Sequence, residues 1–205
     1  QLNHARYENP VTGTLVDAVH CQINAEQTKF ELNDCRATDG LEGSHQLMGK
    51  INAPVSPSPG LIELQLQTRK ANILRRPEIE SEATGEILLS GNFHSLLASG
   101  TLELSPLTII LDSALSHDIP ALETEEINLP NAHQINSQQD SVFTLPRVDL
   151  DLRLTAEHRA FLRGRGLDAE LQGHITVSGN RDKPRYDGSI DTVRGVFNLF
   201  NKKFK

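Results

Sequence analysis

Tryptophan is absent from the 205 residues, tyrosine occurs twice, and aromatic residues make up 4 % of the chain. The large rings that usually fill compact cores and anchor tight interfaces are therefore scarce. An excess of base is lacking too: 20 Lys and Arg stand against 27 Asp and Glu, for a net charge of -7. Such a surface has no global charge for gripping phosphate backbones, and nucleic acid is not an expected partner. No run approaches the roughly 20 consecutive apolar residues that span a bilayer as a helix. No charged-then-apolar leader opens the chain. It starts at Gln1 without a Met and stops just after Phe204, which reads as a piece of something longer.

The arrangements that chemistry needs are missing as well. The eight His residues are scattered, with no HExxH and no i,i+4 pair, so zinc catalysis has no support. There is no Gly-x-Ser-x-Gly elbow, P-loop or Rossmann fingerprint. Arg163-Gly164-Arg165-Gly166 is glycine-rich but leads into the strand-like Leu167 to Leu171, not into a helix that would receive a phosphate. Asp149 and Asp151 share one strand face, as solvated acids on an alternating strand do. Cys21 and Cys35 are the only cysteines; a structural disulfide and two buried thiols are both open, and neither implies a reaction. His20, Cys21, Cys35 and His45 are zinc-ligand types, but without the close CxxC pair that makes such a reading strong. No catalytic residue, metal or cofactor is expected, and the chain is not expected to be an enzyme.

What the sequence does have is a period of two. In Leu61 to Gln67, apolar Ile62, Leu64 and Leu66 alternate with Glu63, Gln65 and Gln67. A strand is the only regular element that puts these sets on opposite faces. Val148, Leu150, Leu152 and Leu154 repeat the pattern between Asp149, Asp151 and Arg153. Ile87 and Leu89, Leu102 and Leu104, Leu107 and Ile109, and Leu171, Ile175 and Val177 continue it. These are half-buried strands, apolar on one face and wet on the other. The best helical candidate is Arg69 to Arg76, limited by Pro77.

Glycines fall between or inside these runs at the spacing of consecutive short strands, which predicts a meandering antiparallel order. Ala53 to Gly60, with Pro54, Pro57 and Pro59, reads as an exposed connection. From His117 to Arg147 the chain is acidic, rich in Asn, Gln and Ser, and poor in the apolar surface that would offset its ordering entropy. Three regions follow: a strand meander over 1–116, an acidic mobile loop over 117–147, and further strands over 148–205. The last stretch is basic from Arg181 onward.

The apolar face is aliphatic over many strands. Two such sheets would pack on each other as a sandwich about 10 Å thick. Alternatively, one long sheet bends and leaves the aliphatic face partly open as a trough, a surface that marks a binding site in a soluble protein.

Arg163 to Gly173, followed by Val177-Ser178-Gly179, Pro184, Gly188 and Arg194-Gly195-Val196-Phe197, resembles the C-terminal conserved domain of the TamB family. The phrase in that family is an Arg-Gly-rich step, Leu-x-Ala-x-Leu-x-Gly, a strand ending in Gly, a turn with Pro, and an Arg-Gly-x-Phe close. The match is good over about Leu150 to Lys205, and residues 1 to 149 fit by pattern and order. Asn201 stands where the family commonly has Gly.

The resemblance implies an all-β fold: a long curved antiparallel sheet, a β-taco, with an aliphatic concave interior. It implies a periplasmic protein of a Gram-negative bacterium, belonging to the AsmA-like, bridge-like lipid-transfer group and anchored in the inner membrane by an N-terminal segment outside this chain. It also implies two duties: carrying phospholipid between the membranes, and helping outer-membrane β-barrel proteins such as autotransporters to assemble. The expected partners are phospholipid acyl chains, unfolded outer-membrane protein strands, and the Omp85-type subunit TamA through regions mostly outside this chain.

A lipid conduit needs a continuous lining without charge, for which the candidates are the sixteen aliphatic residues named above from Ile62 to Val177. An assembly scaffold would hold unfolded segments in the trough or at an open sheet edge. A closed structural core is the third reading.

Overall fold

The computed structural model describes residues 2–111, 146–199 and 202–204. Eleven strands form one sheet whose spatial order is the chain order: β1 (Leu2–Asn9), β2 (Thr14–Glu26), β3 (Lys29–Thr38), β4 (Ser44–Asn52), β5 (Leu61–Arg76), β6 (Ile79–Gly91), β7 (Ser95–Ile110), β8 (Arg147–Gly164), β9 (Leu167–Asn180), β10 (Lys183–Leu199) and β11 (Lys202–Phe204). The period of two dictates this: each strand buries one row of side chains and wets the other. No second sheet packs on the first among the described residues. The sandwich alternative gives way to an open, curved, mostly antiparallel sheet.

Three expectations are corrected. The strands are not short: β5, β7, β8 and β10 run for 16, 16, 18 and 17 residues. Glycines such as Gly85 and Gly100 sit inside them rather than ending them, because their Cα atoms lie against a neighbouring backbone where a Cβ would meet a carbonyl oxygen at 2.1 Å. The stretch Arg69 to Arg76 is the second half of β5, not a helix. Register shifts at Thr68/Ala71 and Asn72/Leu74 insert extra residues, which breaks the period of two and imitates a helical spacing. Finally, β7 and β8 pair in parallel, which requires a long crossover. The connection between them is the longest in the chain, and most of the expected acidic loop, 117–145, lies outside the described residues; Arg147 already begins β8. The Pro-rich connection, Ala53 to Gly60, stands outside the strands as expected.

At its N-terminal end the sheet folds over onto its own middle. The β1–β2 turn docks on the second half of β5: Arg75 N donates to Thr12 O (3.0 Å), the Thr14 hydroxyl to Ile73 O (2.6 Å) and the Arg76 guanidinium to Val11 O (2.9 Å). Gly13 makes this possible, because its φ is +69° and a Cβ there would lie 2.2 Å from Arg75 O. The Cys21–Cys35 disulfide joins β2 to β3, so the bridged alternative is the observed one and neither sulfur is a free zinc ligand.

Candidate functional site

Register turns single residues into continuous rows, since directly opposed residues share a face. One row runs Phe30, Ile51, Ile62, Gly91, Leu96, Val148 from β3 to β8. The next runs Leu32, Gly49, Leu64, Leu89, Ala98, Leu150, Gly179, reaching β9. The third is Cys35, Leu47, Leu66, Ile87, Gly100, Leu152, Val177, and the fourth Ala37, His45, Thr68, Gly85, Leu102, Leu154, Ile175. Carboxylates, Lys and Arg are absent from all four rows. Twelve of the sixteen candidate lining residues thus stand side by side on one face.

The other four, Leu104, Leu107, Ile109 and Leu171, lie on the same face beyond the irregularities. Leu104 opposes Ala83, Leu107 opposes Ser81 and Ala160, and Ile109 opposes Ile79 and Leu162. Leu104 and Leu107 have opposite parity and still share the face because the β6–β7 register shifts between Ser81 and Ala83. Sequence reasoning missed Phe30, Leu47, Ile51 and Leu96 as lining residues. The opposition of Leu96 to Val148 is a parallel pairing, which no local pattern signals.

Among the described residues, the buried apolar side chains are all on this face: Cys21, Cys35, Ile62, Ala71, Ala83, Leu96, Leu102, Ala160, Ala169 and Val177. Leu64, Leu66, Leu89, Leu150, Leu152 and Leu154 are only half-buried. Full burial of such a side chain is worth about 1.5–3 kcal/mol, so the face retains apolar area that an added aliphatic chain would cover. The opposite face is polar. Lys50 meets Glu31 at 3.5 Å, Gln67 donates to Glu86 at 3.2 Å, and Asp149 receives Arg147 at 2.9 Å. A cleft of about 960 Å³ lies among such groups, Arg36, Gln46, Gln67, Glu86 and Glu103 included, and reaches the fourth row at Ala37, His45, Thr68 and Gly85.

A polar anchor lies next to the fourth row. Asp39 is 1 % exposed, and its carboxylate accepts from Leu41 N (2.8 Å), Gly43 N (2.9 Å), Asn72 N (2.9 Å) and Asn72 Nδ2 (2.8 Å). Burial raises its pKa, but these donors together outweigh burial and leave it below the usual carboxylate value. The arrangement ties the β3–β4 turn to the bulged part of β5. Beside it, His45 Nδ1 and the Thr68 hydroxyl lie 3.1 Å apart, and His45 Nε2 is buried without a partner. Burial pushes this imidazole down in pKa, partly opposed by the Asp39 charge.

The described residues contain no group of His, Cys, Asp and Glu that could hold a metal, and no helix among them is long and apolar enough to cross a membrane. No curated protein and no solved structure matches the chain. The family model for the TamB C-terminal domain matches residues 33–205, from within β3 onward, which takes in all four rows except Phe30 and Leu32. On that match the chain belongs to the TamB family, a Gram-negative envelope family of outer-membrane assembly or lipid transport.

Proposed function

We propose that the aliphatic face is a conduit for phospholipid acyl chains crossing the periplasm, with headgroups kept in water. The observation that carries this reading is the lack of Lys, Arg, Asp and Glu from four adjacent rows spanning β3 to β9. A sliding acyl chain meets no unpaired charge there, and burying one would cost several kcal/mol. The half-buried leucines supply what the ligand gains. Contact with the Omp85-type subunit TamA belongs to the same reading, through regions mostly outside this chain.

Photo-crosslinking residues at Leu152 and Asp151, neighbours on opposite faces, test this in cells. Phospholipid captured at Leu152 and not at Asp151 is expected. A Leu152→Asp protein should fold, since the charge reaches water along the open face, yet lose lipid. Adducts at Asp151 alone, or a folded Leu152→Asp protein with full lipid transport, would refute the conduit.

A second reading is favoured by one feature. Among the described residues, β11 pairs only with Phe197 to Leu199, so most of the outer edge of β10 has no strand partner. An open edge takes an extended polypeptide by backbone hydrogen bonds, as a holder of unfolded outer-membrane strands would. Polypeptide captured along β10, with no lipid at Leu152, would favour this alternative.

A further inference from the structure

The two halves of the aliphatic face repeat each other. Residues 62–107 (β5 to β7) and 150–195 (β8 to β10) align without a gap at a constant offset of 88, and 11 of the 46 positions are identical. These include Leu64/Leu152, Leu66/Leu154, Gly85/Gly173, Ile87/Ile175 and the triplet Ser90-Gly91-Asn92 with Ser178-Gly179-Asn180.

The backbone repeats more closely than the sequence. The pairs Ile62–Gly91, Leu64–Leu89, Leu66–Ile87 and Thr68–Gly85 return as Leu150–Gly179, Leu152–Val177, Leu154–Ile175 and Ala156–Gly173. Between the second and third strands, Ile87–Gly100 and Gly85–Leu102 return as Ile175–Gly188 and Gly173–Ile190, and the register slips after equivalent residues, at Leu104 and Thr192. In the turn, Asn92 Oδ1 accepts from His94 N (2.9 Å) and Ser95 N (3.1 Å), and Asn180 Oδ1 from Asp182 N (2.8 Å) and Lys183 N (3.1 Å). Strand propensity alone fixes neither a common register nor a common slip.

We infer that these segments are two copies of one three-stranded unit joined through the parallel β7–β8 pair, and that they offer two equivalent stations for the same aliphatic chain chemistry. This rests on the conduit reading and adds a stoichiometry to it. The copies differ in their outer neighbour. Leu102 is 7 % exposed because β8 covers β7, whereas its counterpart Ile190 on β10 is 61 % exposed. The first station is therefore flanked on both sides, and the second opens at the end of the sheet.

The test uses matched pairs. Photo-crosslinking residues placed singly at Leu64, Leu152, Leu89 and Val177 are exposed to vesicles of phosphatidylethanolamine and phosphatidylglycerol, each protein first shown folded by circular dichroism. Equivalent stations predict that Leu64 and Leu152 capture phospholipid within about threefold of each other, and that Leu89 and Val177 do likewise. Capture confined to one unit, tenfold or more above the other, overturns the equivalence and leaves the conduit standing. Silence at all four positions overturns both.

Discussion

The fold-over where β1 to β4 meet β5, and the run from β8 to β10, belong to one sheet yet are held by different physics. The first is fastened at discrete points: a disulfide, a buried carboxylate with four donors, and a glycine turn seated on the β5 backbone. The second has ladder hydrogen bonds, half-buried aliphatic rows and exposed ion pairs such as Arg194–Glu170. Point fastenings make a region rigid and sensitive to single substitutions. Distributed rows tolerate them and leave a face free to take a ligand.

The contrast can be broken most severely at Asp39. Asp39→Ala strands buried donors from Leu41, Gly43 and Asn72, and should cost about 3–5 kcal/mol. In a chain of this size that lowers the melting temperature by roughly 10 °C. Hydrogen exchange should show the loss first in β3 and β4; uniform loss across the sheet would contradict the regional difference.

Replacing Cys21 and Cys35 together by Ser should remove about 3 kcal/mol, the chain-entropy value for a loop of roughly this length. Lipid capture at Leu152 should persist in the folded variant. Its loss would mean that the fastened region shapes the proposed conduit directly.

A smaller difference separates two leucines. Leu102→Ala, at a buried site, should cost about 3 kcal/mol, and Leu152→Ala, at a half-buried one, about 1 kcal/mol. Equal values by denaturant melts would indicate a closed core at both.

Protonation gives a finer probe. Burial depresses the His45 pKa, so the folded state holds the neutral imidazole more firmly than the unfolded chain does. That contribution is fully present above the unfolded pKa near 6.5 and is lost as pH falls below it. His45→Gln should flatten stability between pH 7.5 and 5.5, and an unchanged pH profile would rule out His45 as its source. The weakest effect is expected at Arg194, whose side chain is 77 % exposed. Arg194→Ala should change stability by less than about 0.5 kcal/mol, because exposed ion pairs are worth little; a larger drop would mean that the run from β8 to β10 also relies on a point fastening.

The all-β character and twelve residues of the four rows were legible because alternation is a local property, carried by runs such as Ile62-Glu63-Leu64-Gln65-Leu66. Lining residues on strands with weaker alternation were not. Ile51 and Leu47 are separated by Met48, Gly49 and Lys50, and gain their meaning only opposite Ile62 and Leu66. The second half of β5 misled because two bulges hide inside it. The long-range half of the Asp39 anchor left no local trace, since Asn72 is 33 residues away. The repeat was readable in principle, as Ser-Gly-Asn recurs at a fixed distance, but its weight comes from the shared register.

The parallel pairing of β7 with β8 has a consequence for how the chain reaches this state. Ser95 opposes Arg147, 52 residues away, whereas the β9–β10 hairpin closes between Asn180 and Lys183. Loop-closure entropy makes the longer closure costlier by about 2–3 kcal/mol. The hairpins should therefore form first and the two halves join last, leaving two unpaired strand edges exposed in the interval. Pulsed hydrogen exchange would see this as amides of the β9–β10 hairpin gaining protection before those that bridge β7 and β8. A holdase chaperone, or simple dilution, would then raise the yield of refolded protein most during that last step.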